Sequence, residues 1–200
     1  MTATKAKRAN RRLFRAGIVT AVAMAATGVL GAGTAGAADK ALTWKGGFPV
    51  IGDQSVKSVI HVDIPAKVSS GQAVSVPFSI DVDAGAGAGD GLRLVGAKKL
   101  AGTIKSSVTL TASNGQSVPL KIELPIPDTE VPKEGPLTFA AKGSVDFKVP
   151  AGVPAGPAKT AVDAKATSHI VTDSLLGEFD VNLVLDPPDQ DTVLGTTEVG

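Results

Sequence analysis

Two histidines, His61 and His169, carry all the imidazole of a 200-residue chain that contains no cysteine and no tyrosine. Nucleophilic catalysis by a serine would need one of them as base beside an orienting acid. Each falls in an alternating apolar/polar stretch, His61 between Lys57 and Asp63 and His169 after Thr167-Ser168. No Gly-x-Ser-x-Gly elbow occurs anywhere. The expected role of both is structural. Two imidazoles without a third and fourth spaced ligand also fall short of a zinc site.

Carboxylates are more plentiful. Asp81, Asp83, Asp163, Glu178 and Asp180 could supply the acid pair of a glycoside hydrolase, but the sugar-stacking aromatics that accompany such pairs are missing: Trp44 is the single tryptophan. Calcium is the metal these residues suit best. Asp81-Val82-Asp83 precedes a glycine-rich run with Asp90, and Asp186, Asp189 and Asp191 cluster near the end, supplying hard oxygen ligands in loops. The first cluster lacks the later acidic ligand of the helix-loop-helix calcium pattern. The run itself, residues 84–91, has no Lys-Ser/Thr after it and reads as a permissive strand connection, not a phosphate cradle. No cofactor is expected.

Ahead of these residues stand Lys5, Lys7, Arg8, Arg11, Arg12 and Arg15, then an apolar run rich in Ala, Gly and Val that closes on Ala35-Gly36-Ala37. Those are the three parts of a secretory signal peptide. Residues 1–37 are read as that peptide, with cleavage between Ala37 and Ala38. Asn10-Arg11-Arg12-Leu13-Phe14 resembles a twin-arginine export signal, in which Arg11, Arg12 and Phe14 are the diagnostic positions; the general export route is the alternative. Cleavage removes six basic and no acidic side chains, leaving 14 basic against 19 acidic, a net charge of −5. Nucleic acid is therefore not an expected partner, nor is a membrane once the peptide is gone. With no cysteine there is neither a lipid-anchoring site nor a disulfide, so the apolar core must hold the fold by itself.

The elements that would position these side chains read as β throughout. Strands are predicted near 41–45, 55–64, 73–82, 92–95, 103–112, 117–124, 137–149 with a break near Gly143, 161–171 and 178–185. In the second, Ile60, Val62 and Ile64 share a face and Lys57, His61 and Asp63 the other. Asn114-Gly115 predicts a type I′ hairpin. Pro125 to Pro136, with four prolines, reads as a loop, and Pro150 to Pro157 as an extended crossover. About nine strands predict an all-β fold, a two-sheet antiparallel Greek-key sandwich of the immunoglobulin-like type over residues 38–186, with a β-barrel as the alternative. Residues 187–200 are predicted to form a flexible acidic tail.

Gly47-Phe48-Pro49-Val50-Ile51-Gly52, His61-Val62-Asp63-Ile64-Pro65 and Leu92-Arg93-Leu94-Val95-Gly96-Ala97 resemble a family of secreted actinobacterial proteins catalogued as a domain of unknown function, over roughly Leu42 to Leu185. The resemblance implies an extracellular immunoglobulin-like sandwich and carries over no active site. It also implies a cysteine shortly before the Phe-Pro segment, where this chain has Lys45-Gly46-Gly47.

Taken together these features predict a secreted, non-enzymatic module that works outside the cell or in its envelope and binds a protein or a cell-wall polymer. The alternatives are an extracellular enzyme or accessory domain using carboxylates or calcium, and a secreted inhibitor presenting Pro125 to Pro136 as a rigid loop.

Overall fold

The computed structural model describes residues 37–200. Eleven strands and one helix follow one another as β1 (Ala37–Phe48), β2 (Gly52–Asp63), β3 (Lys67–Val68), β4 (Ala73–Ala84), α1 (Gly85–Leu94), β5 (Lys99–Ala112), β6 (Ser117–Glu130), β7 (Leu137–Lys148), β8 (Gly156–Val162), β9 (Lys165–Thr172), β10 (Glu178–Leu185) and β11 (Val193–Val199). The all-β class is the one predicted from alternation. The strand count is eleven against about nine, and every strand belongs to one open, mixed sheet that does not close into a barrel.

That single sheet branches at β5. One edge of β5 pairs along its length with β6. The other edge pairs with β9 over Leu100–Lys105 and with β8 over Val108–Ala112. From β9 the ladder continues through β10, β1, β2 and β4 to β7; from β8 it continues through β11 to β3, the last pairing parallel. The strands alternate sharply, so one face of every strand is apolar. The sheet curls until those faces meet, and Trp44, Ile60, Phe78, Ile80, Ile104, Leu124, Ala141, Ile170 and Val181 share one core. A second, smaller cluster of Val68, Leu110, Ala112, Val149, Ala158 and Val199 fills the β3–β8–β11 end.

The curl brings β6 beside β7, with Leu124 against Gly143, yet no ladder joins them. The hydrogen bond from Ala112 N–H to Gln116 C=O sets the phase of the β5–β6 ladder. With it, the odd residues of β6 direct their amides away from β5, where Pro119 and Pro125 sit. Both prolines leave the β5 ladder intact and remove donors from the edge that faces β7. The first half of the proline-rich stretch predicted as a loop, Pro125 to Glu130, is thus strand, with Pro125 at an outward-facing edge position, while residues 131–136, which hold Pro132 and Pro136, form the predicted loop.

Four further expectations are corrected. Residues 92–95 close a helix, α1, and the Gly/Ala run read as a flexible connection forms the rest of it. Residues 161–171 are two strands, β8 and β9, turned at Asp163-Ala164. The β5–β6 hairpin is present, but its turn is not type I′: Gly115 has φ +84° while Asn114 does not have positive φ. Gly115 N–H donates to Ala112 C=O at 2.9 Å, so the loop is a turn followed by a left-handed glycine. Residues 187–200, predicted to fray, hold β11. Leu194, Thr197 and Val199 are buried, Thr197 Oγ1 donates to Pro65 C=O at 2.6 Å, and Glu198 N–H donates to Ala66 C=O.

Candidate functional site

The carboxylates proposed for calcium are held apart by separate duties. Asp81 accepts from His61 Nε2 at 3.1 Å. Asp83 accepts the Gly85 N–H at 2.9 Å where α1 begins. Asp90 pairs with Arg93 one turn along the same helix. At the other cluster Asp191 binds the Lys40 ammonium at 2.7 Å and the Val193 amide at 3.0 Å, and these contacts hold its carboxyl below the usual range, while Asp186 and Asp189 are simply exposed. Among the described residues no group of three or more His, Asp or Glu side chains is arranged to hold a metal ion.

Both histidines lie on the outer face, each between two acids. His61 Nδ1 meets Asp39 at 2.7 Å across the β1–β2 pair, and its Nε2 meets Asp81 of β4. These hydrogen bonds, Asp39's first, raise the imidazole above its ordinary 6.5. His169 Nδ1 meets Asp180 at 2.8 Å, with Glu178 3.8 Å from Nε2. Asp163 accepts from Ser107 and Thr109. With both ring nitrogens of His61 engaged by acids, and no serine hydroxyl bonded to either imidazole among the described residues, these groups form cross-strand ties. Ala37 and Ala38, where cleavage is predicted, open β1 opposite Asp63 and Val62; Arg11, Arg12 and Phe14 lie outside the described residues.

Where the strands converge on α1, a different feature appears. The β1–β2 turn, α1, the 131–136 loop and the β9–β10 turn all gather at one end of the curled sheet. Gly91 packs on Ile51 so closely that a Cβ there would lie 2.9 Å from its Cγ2. Arg93 Nη1 donates to Pro132 C=O at 2.7 Å, and the Lys98 and Lys99 amides both donate to Asp173, lowering its carboxyl pKa. Beneath this assembly is a cavity of about 80 Å³. Phe48, Pro49, Ile51, Leu92 and Leu176 frame its outer end, and Trp44, Ile80, Ile104 and Ile170 line its depth. Its polar groups are few. Ser58 is occupied by the Trp44 Nε1–H at 2.9 Å, and Ser106 and Ser168 complete the set.

Beside the lining residues Pro49, Ile51, Leu92 and Leu176 in the chain, Val50, Leu94 and Leu175 are 65 %, 74 % and 105 % exposed. Val50 also has φ +72°, and the Ile51 N–H donates to Pro49 C=O at 2.8 Å, the geometry of a γ-turn centred on a β-branched residue. Sequence reasoning passed over this site because its residues are ordinary core types; the one available signal was an apolar Phe-Pro-Val-Ile turn, where polar residues are usual.

Among the described residues no helix is long and apolar enough to cross a membrane. A family model described as a family of unknown function matches residues 43–195. No curated protein and no solved structure matches the chain.

Proposed function

The chain belongs to DUF6801, a family of unknown function, and we propose that it is a secreted, non-enzymatic binding module that holds an apolar part of its ligand at the α1 end of the sheet. The observation that carries this reading is the apolar cavity opening beneath three exposed hydrophobic residues, at the meeting point of four connections. A concave apolar site with few polar groups is the usual form of a ligand pocket, and large exposed apolar side chains collected at one place mark an interaction surface. The ligand belongs to a protein or a cell-wall polymer of the envelope. Export by an actinobacterium and an immunoglobulin-like ancestry are part of the same proposal, supported by the basic-apolar-Ala35-Gly36-Ala37 pattern and by the resemblance over Leu42 to Leu185. Of the segment Pro125 to Pro136 that motivated an inhibitor, Pro125 to Glu130 lie within β6 and residues 131–136 form a loop.

Trp44, the single tryptophan, lines the cavity and reports its contents. Protein recovered from culture fluid or envelope should begin at Ala38 by intact mass, and 1-anilinonaphthalene-8-sulfonate, too large for the cavity itself, should bind at the exposed apolar residues Val50, Leu94 and Leu175 and quench Trp44 emission by energy transfer. Protein retained in the cytoplasm would overturn the secretion reading; a dye that leaves Trp44 unaffected would overturn the apolar site.

A further inference from the structure

Among the described residues the branched sheet ends in three strands, β3, β6 and β7. Two of these ends are blunted in ways that keep other chains from pairing with them. β3 is two residues long, and β6 turns Pro119 and Pro125 away from β5. β7 has neither device: it is twelve residues long and contains no proline.

The Val149 N–H donates to Gln72 C=O at 3.0 Å, which sets the phase of the β4–β7 ladder. Odd residues of β7 therefore turn their amides to β4, and Ala140, Lys142, Ser144, Asp146 and Lys148 turn theirs to the free edge. Gly143 belongs to the inner face of the strand, yet it is exposed together with Lys142 and Ser144. The curl that sets Leu124 of β6 against Gly143 thus leaves this stretch open to solvent.

Such an edge can pair with an identical edge running the other way. Facing amides require even residues opposite even ones, so the two-fold axis passes through a residue, and charge selects which. Centred on Lys142 or Asp146, like charges stand directly opposite each other, and centred on Val145, Lys142 meets Lys148. Centred on Gly143, every charge meets an uncharged residue. Centred on Ser144, Lys142 stands opposite Asp146 of the second copy, and the symmetry makes that pair twice. Opposite charges facing across strands stabilise the pairing, and like charges oppose it. None of the salt bridges among the described residues uses Lys142 or Asp146.

We propose that the chain forms a two-fold homodimer by pairing β7 with β7 of a second copy, centred on Ser144, so that one sheet runs through both molecules. A second copy fits this edge better than an unrelated strand because the lysine and the carboxylate lie symmetrically about Ser144 and satisfy each other. The dimer is independent of the apolar site, since none of Lys142, Ser144 and Asp146 lines that cavity.

The test sediments full-length protein as recovered from cells over a concentration series to about 1 mM, the weak end of specific association. Wild type should pass from monomer to dimer. Lys142→Asp sets Asp against Asp at both places and should raise the dimer Kd at least about 10-fold, and adding Asp146→Lys should return it to within about 3-fold of wild type. Because the chain has no cysteine, Ser144→Cys reads the register. Directly opposite residues of a hydrogen-bonded pair lie about 5.5 Å apart, inside the ~4.4–6.8 Å that a disulfide spans. Mild oxidation should crosslink Ser144→Cys and leave Lys148→Cys uncrosslinked, its two copies being about 27 Å apart at ~3.4 Å per residue. Wild-type protein that stays monomeric at every concentration overturns the dimer, and this arm needs no variant. A dimer indifferent to Lys142→Asp, or Lys148→Cys crosslinking as fast as Ser144→Cys, overturns the β7 edge. A double swap no tighter than the single one overturns the pairing of Lys142 with Asp146.

Discussion

The indole of Trp44 on β1 donates to the hydroxyl of Ser58 on β2 at 2.9 Å, inside the core. The pair is the only polar tie between neighbouring side chains on the inner faces of those two strands among the described residues. Ser58→Ala would leave a buried N–H without a partner and should cost about 1–3 kcal/mol. Trp44→Phe removes the donor, so the Ser58→Ala change made in that background should cost less. Urea denaturation of the four proteins of the cycle measures the coupling; strictly additive losses would show that the hydrogen bond contributes nothing specific.

His61 binds its proton more tightly folded than unfolded because Asp39 and Asp81 accept from its two ring nitrogens. The other groups facing it are Lys57, Val59 and Asp63 along β2, Ser79 on β4 and, one strand further, Lys142 on β7. The folded pKa is raised, so the stabilisation is fully present below the unfolded value of 6.5 and disappears as pH rises through the folded value. NMR titration should place His61 above 6.5, with Asp39→Asn lowering it more than Asp81→Asn. A His61 that titrates at 6.5 in all three proteins would show that the ties do not persist in solution.

The acid limb has the opposite sign. Asp173, held by the Lys98 and Lys99 amides, and Asp191, held by Lys40, have lowered pKa values. Their stabilisation is present above the unfolded value of 3.8 and is lost as pH falls through the folded values. Asp191→Asn should therefore flatten the loss of melting temperature at acid pH; an unaltered acid limb would remove Asp191 from the account.

Gly102 sits where the β5–β6 register shifts, and a Cβ there would stand 2.0 Å from the His169 backbone oxygen. Since backbone and not a flexible side chain is in the way, Gly102→Ala should cost about 3 kcal/mol, visible as a shifted urea midpoint. A loss under about 0.5 kcal/mol, the range of ordinary surface changes, would mean that β9 moves freely away from β5.

Val50 is strained at φ +72° in an exposed turn. Val50→Gly releases that strain and should raise stability by about 1 kcal/mol, an unusual sign for the loss of a side chain. Calorimetry in which Val50→Gly melts lower than wild type would place the strain elsewhere.

Alternation alone determined that this protein is all-β. Ile60, Val62 and Ile64 face inward and Lys57, His61 and Asp63 outward as their period of two requires, because side-chain direction in a strand is a local property of the backbone. The Asn-Gly hairpin and the span of β10 were local in the same sense. Tertiary contact decided the rest. The glycines of residues 85–91 have no helical preference, and they become helix because only a residue without Cβ can approach Ile51 and Gly135 so closely. Val193 to Val199 became a strand because β8 and β3 offered it partners. The cavity was invisible for the same reason: its walls are core residues drawn from most of the strands and from α1, and only the curl of the sheet decides where they stop short of touching.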